Sequence, residues 1–300
     1  MLNECIDGLN IVPDGLYLDC TAGGGGHSLE IVRRLGSGGR LIAIDQDSAA
    51  IEAVGKRLSG YEDRYTAVRD NFRNVKAILG DRKADGALID LGVSSYQLDT
   101  PERGFSYLHD APLDMRMNPD AEITAYDVIN GWSEKDLARI FFTYGEEKFA
   151  NRIAAAICRK RSEAPIATTF ALAGIVRSAL PGKSFDFSAH PEKRVFMSVR
   201  IEVNHELEII PPTVKDLISC LKPGGRLVIL TFHSLEDREV KNAFAEAARG
   251  CTCPPSFPVC VCGKTPDIRI ITKKPILPSE KELTENSRSH SAKLRIAEKL

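Results

Sequence analysis

Residues Asp19 to Ser28 read D-C-T-A-G-G-G-G-H-S and combine a carboxylate, four consecutive glycines and a histidine. Glycine has no Cβ, so such a run lets the backbone approach a ligand closely. Between a strand and the N-terminus of a helix, the run suits a nucleotide-like ligand. The dinucleotide pattern G-x-G-x-x-G fits only in part, because Ser28 occupies its last position. No Lys-Ser or Lys-Thr pair follows, which argues against a phosphate-binding P-loop.

Acidic residues at the ends of predicted strands extend this candidate site. Asp45 follows the glycines by about 20 residues, where a carboxylate can accept both ribose hydroxyls of an adenosine-containing ligand. NAD and S-adenosylmethionine both satisfy that pattern. Three features favour the methyl donor: Asp19 begins D-x-x-x-G-x-G, Asp90 ends a later strand, and L-K-P-G-G precedes an apolar strand. Phe72 has two interpretations, a ring that packs on adenine or an ordinary core phenylalanine.

The elements that must position these residues alternate between strands and helices. Strands are predicted over Leu16–Thr21, Arg40–Asp45, Tyr65–Asp70, Ala84–Asp90, Arg226–His233, Ile268–Thr272 and Ala292–Glu298. Strands separated by helices indicate an α/β fold with a parallel sheet. Between about Ser94 and His205 only helices are predicted, including one capped by Ser133 and one over residues 147–161. The predicted domains are a first α/β part (1–93), a helical insertion (94–205) and a second α/β part (206–300).

Composition narrows the function classes only slightly. The 300 residues are 43% hydrophobic and 27% charged, as in an ordinary globular protein. Lys and Arg number 40 against 41 Asp and Glu, so any surface for nucleic acid must be local. The N-terminal residues lack a basic segment followed by an apolar run, and no uncharged apolar stretch is long enough to span a bilayer. We therefore predict a cytoplasmic protein without a membrane partner.

Four of the eight cysteines lie together in the segment C-T-C-P-P-S-F-P-V-C-V-C, residues 251–262. Cys251, Cys253, Cys260 and Cys262 form two C-x-C pairs, and four thiolates are a chemically reasonable zinc site. The usual spacing is C-x-x-C, so four thiols without a metal are the alternative. The clustering suits a reduced, cytosolic protein better than a disulfide-bonded secreted one.

Two longer stretches of the sequence resemble one particular protein family. They read D-L-G-V-S-S-Y-Q-L-D-T-P-E-R-G-F from Asp90 and F-H-S-L-E-D-R-E-V-K from Phe232. With D-C-T-A-G-G-G-G-H-S, Y-G-E-E-K-F-A-N-R-I-A and R-I-E-V-N-H-E-L, they resemble the bacterial ribosomal small-subunit RNA methyltransferase H family, also called MraW. The resemblance covers nearly the whole chain. It implies a class I (Rossmann-like) S-adenosylmethionine-dependent methyltransferase sheet with an inserted all-helical domain.

The resemblance also implies a substrate and a set of site residues. The family methylates the exocyclic N4 amine of a cytosine in 16S rRNA of the small ribosomal subunit, and the resemblance leaves a homodimer open. The implied donor pocket consists of Gly25, Gly26, His27, Asp45, Phe72, Asp90 and Gln97. Asp90 is also the candidate catalytic residue, because it stands where other amino-methyltransferases carry D/N-P-P-Y. Whether it contacts the donor or the amine stays open.

Basic residues in the insertion are candidates for RNA binding, because RNA is held through its phosphates. Lys148, Arg152 and Arg159 fall on one face of a predicted helix. Further candidates are Arg103, Arg116, Lys160, Arg161, Lys193, Arg194 and Arg200. His233 ends a predicted strand and has two interpretations, a substrate contact or a structural histidine, and Ser234 with Asp237 predicts a capping box. The alternative functions are methylation of another nucleic-acid or small-molecule amine, and non-catalytic RNA binding.

Overall fold

The computed structural model describes residues 1–180, 191–254, 257–259 and 261–300. The chain divides into two compact units. The first unit joins Met1–Gly92 to Leu207–Leu300, and the second is Val93–Glu206. Each boundary between the two units lies one residue from the predicted domain boundary. Each unit has an apolar core of its own.

The first unit is built on a seven-stranded sheet. Its strands are β1 (Leu16–Asp19), β2 (Arg40–Asp45), β3 (Tyr65–Arg69), β4 (Ala84–Asp90), β5 (Leu221–Thr231), β6 (Ile268–Ile270) and β7 (Lys293–Lys299). The order across the sheet is β3-β2-β1-β4-β5-β7-β6. The pairs among β1 to β5 are parallel, whereas β7 runs antiparallel to both β5 and β6.

Helices cover both faces of this sheet and form the second unit. They are α1 (Leu2–Leu9), α2 (Gly26–Arg34), α3 (Ser48–Arg57), α4 (Val75–Leu79), α5 (Ser95–Asp99), α6 (Ala125–Gly131), α7 (Glu134–Thr143), α8 (Ala150–Arg161), α9 (Thr169–Ser178), α10 (Pro191–Asn204), α11 (Ile210–Cys220), α12 (Ser234–Ala247) and α13 (Glu280–Glu285). Successive strand residues point to opposite faces. Leu88 packs in the cluster that includes Ile31 of α2, whereas Ile89 packs in the cluster that includes Leu217 of α11. The predicted fold class, a Rossmann-like α/β sheet with a helical insertion, is confirmed.

Helices α6 to α10 contribute the core of the second unit, where Phe141, Ile157 and Val199 are completely buried. Ser133 caps α7 as predicted, because its side chain accepts the backbone N–H of Asp136 at 3.1 Å. The helix predicted over residues 147–161 instead begins at Ala150. Before it, Glu146 adopts a left-handed φ of 49°, which interrupts the helical path.

Strand β5 is longer than predicted, and the reason lies in its pairing. Leu221 already pairs with Ala84 of β4, and the register then shifts so that Gly86 opposes Arg226. The K-P-G-G segment therefore lies within the strand as an irregularity. A Cβ on Gly225 would lie 2.9 Å from the carbonyl oxygen of Lys222, so the bend requires glycine. Among the helices described here, none combines the length and the apolarity needed to cross a membrane.

Candidate active site

Three aspartates mark the carboxyl ends of adjacent parallel strands. Asp19 ends β1, Asp45 ends β2 and Asp90 ends β4. Strand β1 lies between β2 and β4. The chain adds β2 and β3 on one side of β1 and then crosses to add β4 on the other side. Such a switch point opens a crevice at the carboxyl edge, which is where open α/β sheets bind ligands. The strand order therefore brings together the acidic residues that lie far apart in sequence.

The glycine loop enters this edge between β1 and α2. Gly25 caps α2 with a left-handed φ of 75°, and a Cβ there would lie 3.4 Å from Cα of Val54. Its neighbours have more room: a Cβ on Gly24 would meet no atom within 4 Å, and one on Gly26 would meet only Nη1 of Arg57, at 3.6 Å. Gly25 is thus required by the backbone, whereas Gly24 and Gly26 leave open space in which a ligand can approach the loop.

Asp19 fixes the conformation of the glycine loop through hydrogen bonds. Its carboxylate accepts a hydrogen bond from Oγ of Ser28 at 2.6 Å and from the backbone N–H of Thr21 at 3.3 Å. The side chain is completely buried, and burial raises its pKa to about 6, against the opposing effect of the Ser28 hydroxyl. Thr21 also reaches β4, because its Oγ1 accepts the backbone N–H of Asp90 at 2.6 Å. Asp19 and Thr21 therefore position the loop and need no ligand contact to explain them.

Asp45 ties β2 to the same loop. One carboxylate oxygen accepts the backbone N–H of Gly23 at 2.8 Å, and the other accepts that of Asp47 at 2.9 Å. Burial raises the pKa of Asp45 to about 6, and the two backbone hydrogen bonds oppose the rise. Each carboxylate oxygen has a second lone pair, so the group can still accept two further hydrogen bonds. That capacity is what an adjacent pair of ribose hydroxyls requires.

The pair His27 and Asp90 is the most unusual feature of this edge. Nδ1 of His27 lies 3.6 Å from Oδ2 of Asp90. Burial raises the pKa of Asp90 to about 6 against the effect of His27, and burial lowers the pKa of His27 against the effect of Asp90. The other polar atom of each side chain, Nε2 of His27 and Oδ1 of Asp90, is buried and has no hydrogen-bond partner among the residues described. Buried polar atoms in native proteins are nearly always paired, so these two atoms are candidate contacts for a polar ligand or an ordered water molecule.

Phe72 and Gln97, the two remaining donor-pocket candidates, differ in their surroundings. Phe72 begins a short 3-10 helix after β3, and its half-buried ring packs against the core at one side. Gln97 belongs to the second unit and is buried. Its Oε1 accepts the backbone N–H of Ser94 at 3.1 Å, which completes a capping box on α5. Gln97 thus has a structural role of its own.

Most basic candidates in the second unit are engaged by local partners. Arg103 donates to the carbonyl oxygen of Arg116 at 2.7 Å, and Arg116 forms a bidentate pair with Asp114 at 2.9 and 2.6 Å. Further local partners bind Lys160, Arg161, Arg194 and Arg200. The exposed candidates are Lys148, Arg152, Arg159, Lys160 and Lys193. Lys148 lies outside α8, so the predicted face of three residues on one helix is reduced to Arg152 and Arg159, with Lys148 in the preceding turn.

The predicted capping box of Ser234 and Asp237 is wrong. His233 caps α12, with Nδ1 facing the backbone N–H of Glu236 at 3.4 Å. The buried carboxylate of Glu236 accepts the N–H groups of Phe232 at 2.8 Å and His233 at 3.2 Å, and Nε2 of His233 lies 3.0 Å from it. Asp237 instead accepts Nε of Arg295 at 2.7 Å. The capping bond through Nδ1 supports the structural interpretation of His233, whereas Nε2 forms no hydrogen bond with the described residues and is compatible with a substrate contact.

Sequence reasoning overlooked Thr21, Ser28 and Glu236, which position the site through hydrogen bonds. The hydroxyls of Thr21 and Ser28 carry a weak signal, because both stand within the glycine segment itself. Glu236 carries none in local sequence, since histidine is not a preferred N-cap residue. Of the predicted metal ligands, Cys251, Cys253 and Cys262 converge, and Cys260 lies outside the described residues.

Comparison with known proteins connects this site to a family. The model of the MraW methylase family matches residues 1–300. Ribosomal RNA small subunit methyltransferase H of Clostridium botulinum (strain Loch Maree / Type A3) is 55% identical over 303 residues, which cover 100% of this chain and 97% of that protein. The protein of the same name from Brevibacillus brevis is 52% identical, with coverage of 100% and 96%. The crystal structure of an rRNA methylase from Streptococcus thermophilus is 11% identical, has a TM-score of 0.45 and covers 99% of this chain and 95% of that one, a likeness too distant to bear on function.

Proposed function

The chain belongs to the MraW methylase family, and we propose that it transfers a methyl group from S-adenosylmethionine to the N4 amine of a cytidine in 16S rRNA of the small ribosomal subunit. The observation that carries the proposal is the pair of buried atoms, Nε2 of His27 and Oδ1 of Asp90, without a partner among the described residues. Each such atom costs about 1–3 kcal/mol unless a ligand or an ordered water molecule pairs with it. The name shared by the relatives, Ribosomal RNA small subunit methyltransferase H, supports the class of substrate.

The residues at the sheet edge fit the donor. Asp45 offers two acceptor positions for ribose hydroxyls, and Gly24 and Gly26 leave room for close approach of the backbone. Phe72 presents a half-buried ring after β3, which suits an adenine face. When bound, S-adenosylmethionine supplies an electrophilic methyl group whose bond to sulfur breaks as the amine nitrogen attacks. Most of the rate enhancement then comes from alignment of the two reactants.

The chain must also make the amine reactive. The amine of cytosine is a poor nucleophile, because its lone pair is delocalised into the ring. Asp90 has a pKa of about 6 and is mainly ionised at neutral pH, with Oδ1 available as an acceptor. A hydrogen bond from the amine to Oδ1 favours rehybridisation of the nitrogen and stabilises the positive charge that develops there. The proton released by the amine then has an acceptor within the site.

RNA is held, in this proposal, by the exposed cations of the second unit. Lys148, Arg152 and Arg159 are exposed, whereas Arg103 and Arg116 are occupied by local partners. The latter two are therefore less suited to phosphate contacts than their positions in the sequence indicated. The reaction takes place in the cytoplasm, where small ribosomal subunits are found.

The decisive experiment measures the product. Small subunits from cells that lack the gene are incubated with the purified protein and methyl-labelled donor, and the 16S rRNA nucleosides are then analysed by mass spectrometry. We expect label in a nucleoside that co-elutes with N4-methylcytidine. The Asp90→Asn variant should bind the donor and yield at least tenfold less product. Label at another position of any base would contradict the proposed chemistry, and so would full activity of Asp90→Asn.

A further inference from the structure

None of the described residues between α12 and β6 is fully buried. None of the described residues within 248–267 belongs to a helix or a strand. Its large apolar side chains point to solvent: Phe257 is 50% exposed, Val259 70% and Val261 73%. Loops of this length without secondary structure are uncommon unless they are functional or disordered. A metal ion can supply the stability that a small segment does not obtain from burial.

Three sulfur atoms converge within this segment. The Sγ atoms of Cys251, Cys253 and Cys262 all lie within 4.8 Å of one another, and those of Cys251 and Cys262 are 3.8 Å apart. Tetrahedral zinc has Zn–S bonds of about 2.3 Å, which places its sulfur ligands about 3.8 Å from each other. A disulfide requires a distance of about 2.05 Å. The spacing of Cys251 and Cys262 is therefore too long for a disulfide and matches that of two sulfurs on one metal ion.

Each of these sulfurs also accepts a backbone hydrogen bond. The N–H of Thr252 donates to Cys262 Sγ at 3.3 Å, that of Cys253 to Cys251 Sγ at 3.4 Å, and that of Val261 to Cys253 Sγ at 3.3 Å. Hydrogen bonds to the charged form of a group favour that form. The thiolate is the form that binds metals. The backbone of the loop thus provides one N–H donor to each of the three sulfurs.

Two basic side chains and one acidic side chain line a surface depression beside this cluster. Arg249, Lys264 and Glu246 line it together with Thr252, which donates its N–H to Cys262. Three thiolates on one divalent cation leave a net negative charge, and neighbouring cations reduce the energy of such a charge. Soft thiolate ligands select zinc or iron–sulfur clusters over magnesium or calcium.

We propose that Cys251, Cys253 and Cys262 bind one structural Zn²⁺, which fixes the conformation of the loop between α12 and β6. The proposal does not depend on the methyltransferase reaction. Zinc is selected because it forms tetrahedral thiolate sites without redox chemistry, and such sites stabilise small loops directly. The fourth ligand is left to experiment, because Cys260 lies outside the described residues.

The test uses the full chain purified without chelator from zinc-supplemented medium. Inductively coupled plasma mass spectrometry should give close to one zinc per chain. Serine substitutions at Cys251, Cys253 and Cys262, made singly, should each reduce the zinc content at least tenfold. The matched control is Cys158→Ser, since Cys158 is a half-buried cysteine of the second unit, and it should retain the metal. Replacement of zinc by Co²⁺ should give the sulfur-to-cobalt charge-transfer bands of a tetrahedral thiolate site.

Three results would overturn the proposal. The first is folded protein that contains under a tenth of an equivalent of zinc and takes up none when zinc is added. The second is zinc that persists in all three serine variants, since the metal would then be bound elsewhere. The third is an iron–sulfur absorption spectrum, or an intact mass lower by two hydrogens, which would indicate a cluster or a disulfide. Circular dichroism of each variant verifies that loss of metal is not loss of fold.

Discussion

The stability of the protein depends on pH through three carboxyl groups at the sheet edge, of which Asp19 is buried and Asp45 and Asp90 are partly buried. Burial raises the pKa of Asp19, Asp45 and Asp90 to about 6 each, whereas an aspartate in an unfolded chain titrates near 3.9. Between about pH 4 and pH 6 the folded chain therefore holds more protons than the unfolded chain, so the free energy of unfolding falls as pH rises through this range. His27 acts in the opposite direction, because burial lowers its pKa.

The substitution Asp19→Asn measures the contribution of one of these carboxyl groups to the pH dependence of stability. Between about pH 5 and pH 7.5 the parent should lose roughly 1 kcal/mol more stability than Asp19→Asn, because the variant has no proton to release. Urea unfolding at the two pH values measures the difference. Asp63→Asn is the control, since Asp63 is 73% exposed and should follow the parent. Equal pH dependence in Asp19→Asn and the parent would show that burial does not shift this carboxyl.

Asp45 should contribute directly to donor affinity. Asp45→Ala removes two acceptors for ribose hydroxyls and the two hydrogen bonds to Gly23 and Asp47, so donor binding should weaken by about 1–3 kcal/mol. Isothermal titration calorimetry with S-adenosylmethionine measures the change. Asp70→Ala is a matched control, because Asp70 follows the neighbouring strand β3 and its Oδ1 accepts Nδ2 of Asn74 instead. Unchanged affinity in Asp45→Ala would remove Asp45 from the pocket.

The order of Asp45 and the glycine loop along the chain was sufficient to predict that they share a site. The local sequence could not show that both carboxylate oxygens of Asp45 are already bonded to the backbone. Those bonds arise because β1 and β2 are neighbours in the sheet, and pairing is a property of the whole fold. The same holds for His27 and Asp90, which meet only when β4 pairs with β1.

At the scale of elements, the start of α12 depends on Glu236 rather than on Ser234. Glu236→Ala would leave the N–H groups of Phe232 and His233 without their acceptor, and we expect a loss of about 1–3 kcal/mol. Ser234 is exposed, and Ser234→Ala should change stability by less than about 0.5 kcal/mol. Urea denaturation of both variants tests the assignment. A larger loss in Ser234→Ala than in Glu236→Ala would restore the capping box that the sequence predicted.

The boundaries of helices and strands could be predicted where the local pattern of apolar side chains defines them. The prediction was wrong where a residue distant in sequence sets the boundary. Strands β2 and β4 match their predicted bounds, because each is a buried apolar run that ends at an aspartate. Strand β5 begins five residues before the predicted Arg226, because Leu221 pairs with Ala84. Helix α8 starts at Ala150 rather than at Glu147, whose carboxylate accepts the N–H of Phe149 and pairs with Arg194 of α10, a partner that the local sequence does not signal.

At the scale of the whole molecule, the chain is nearly neutral, with a formal net charge of −1, so attraction to RNA must be local. Reversal of Lys148, Arg152 and Arg159 to Glu should weaken binding to small subunits and reduce the slope of log K against log salt by roughly 2–3, because three phosphate contacts would be lost. Donor affinity should stay unchanged, since the proposed donor-pocket residues other than Gln97 belong to the first unit. Filter binding at several salt concentrations and calorimetry provide the two measurements.

A second triple variant controls for total charge. Lys56, Lys215 and Lys241 are exposed residues of the first unit, and their reversal to Glu changes the net charge equally. We expect this variant to retain most of the affinity for small subunits and the salt slope of the parent. If both triple variants lose affinity equally, the effect is one of net charge, and the cations of the second unit do not form the RNA-binding surface.

The first unit is discontinuous, and this determines the order in which its sheet can form during synthesis. Strand β4 ends at Asp90, and its partner β5 starts at Leu221. The edge of β4 therefore stays unpaired while the contiguous second unit, Val93–Glu206, emerges from the ribosome and can already collapse around its own core. Unpaired strand edges are sites of intermolecular association in nascent chains. The donor site consequently depends on a sheet that is closed only late in translation, and an interruption before β5 leaves a chain with an open, aggregation-prone edge.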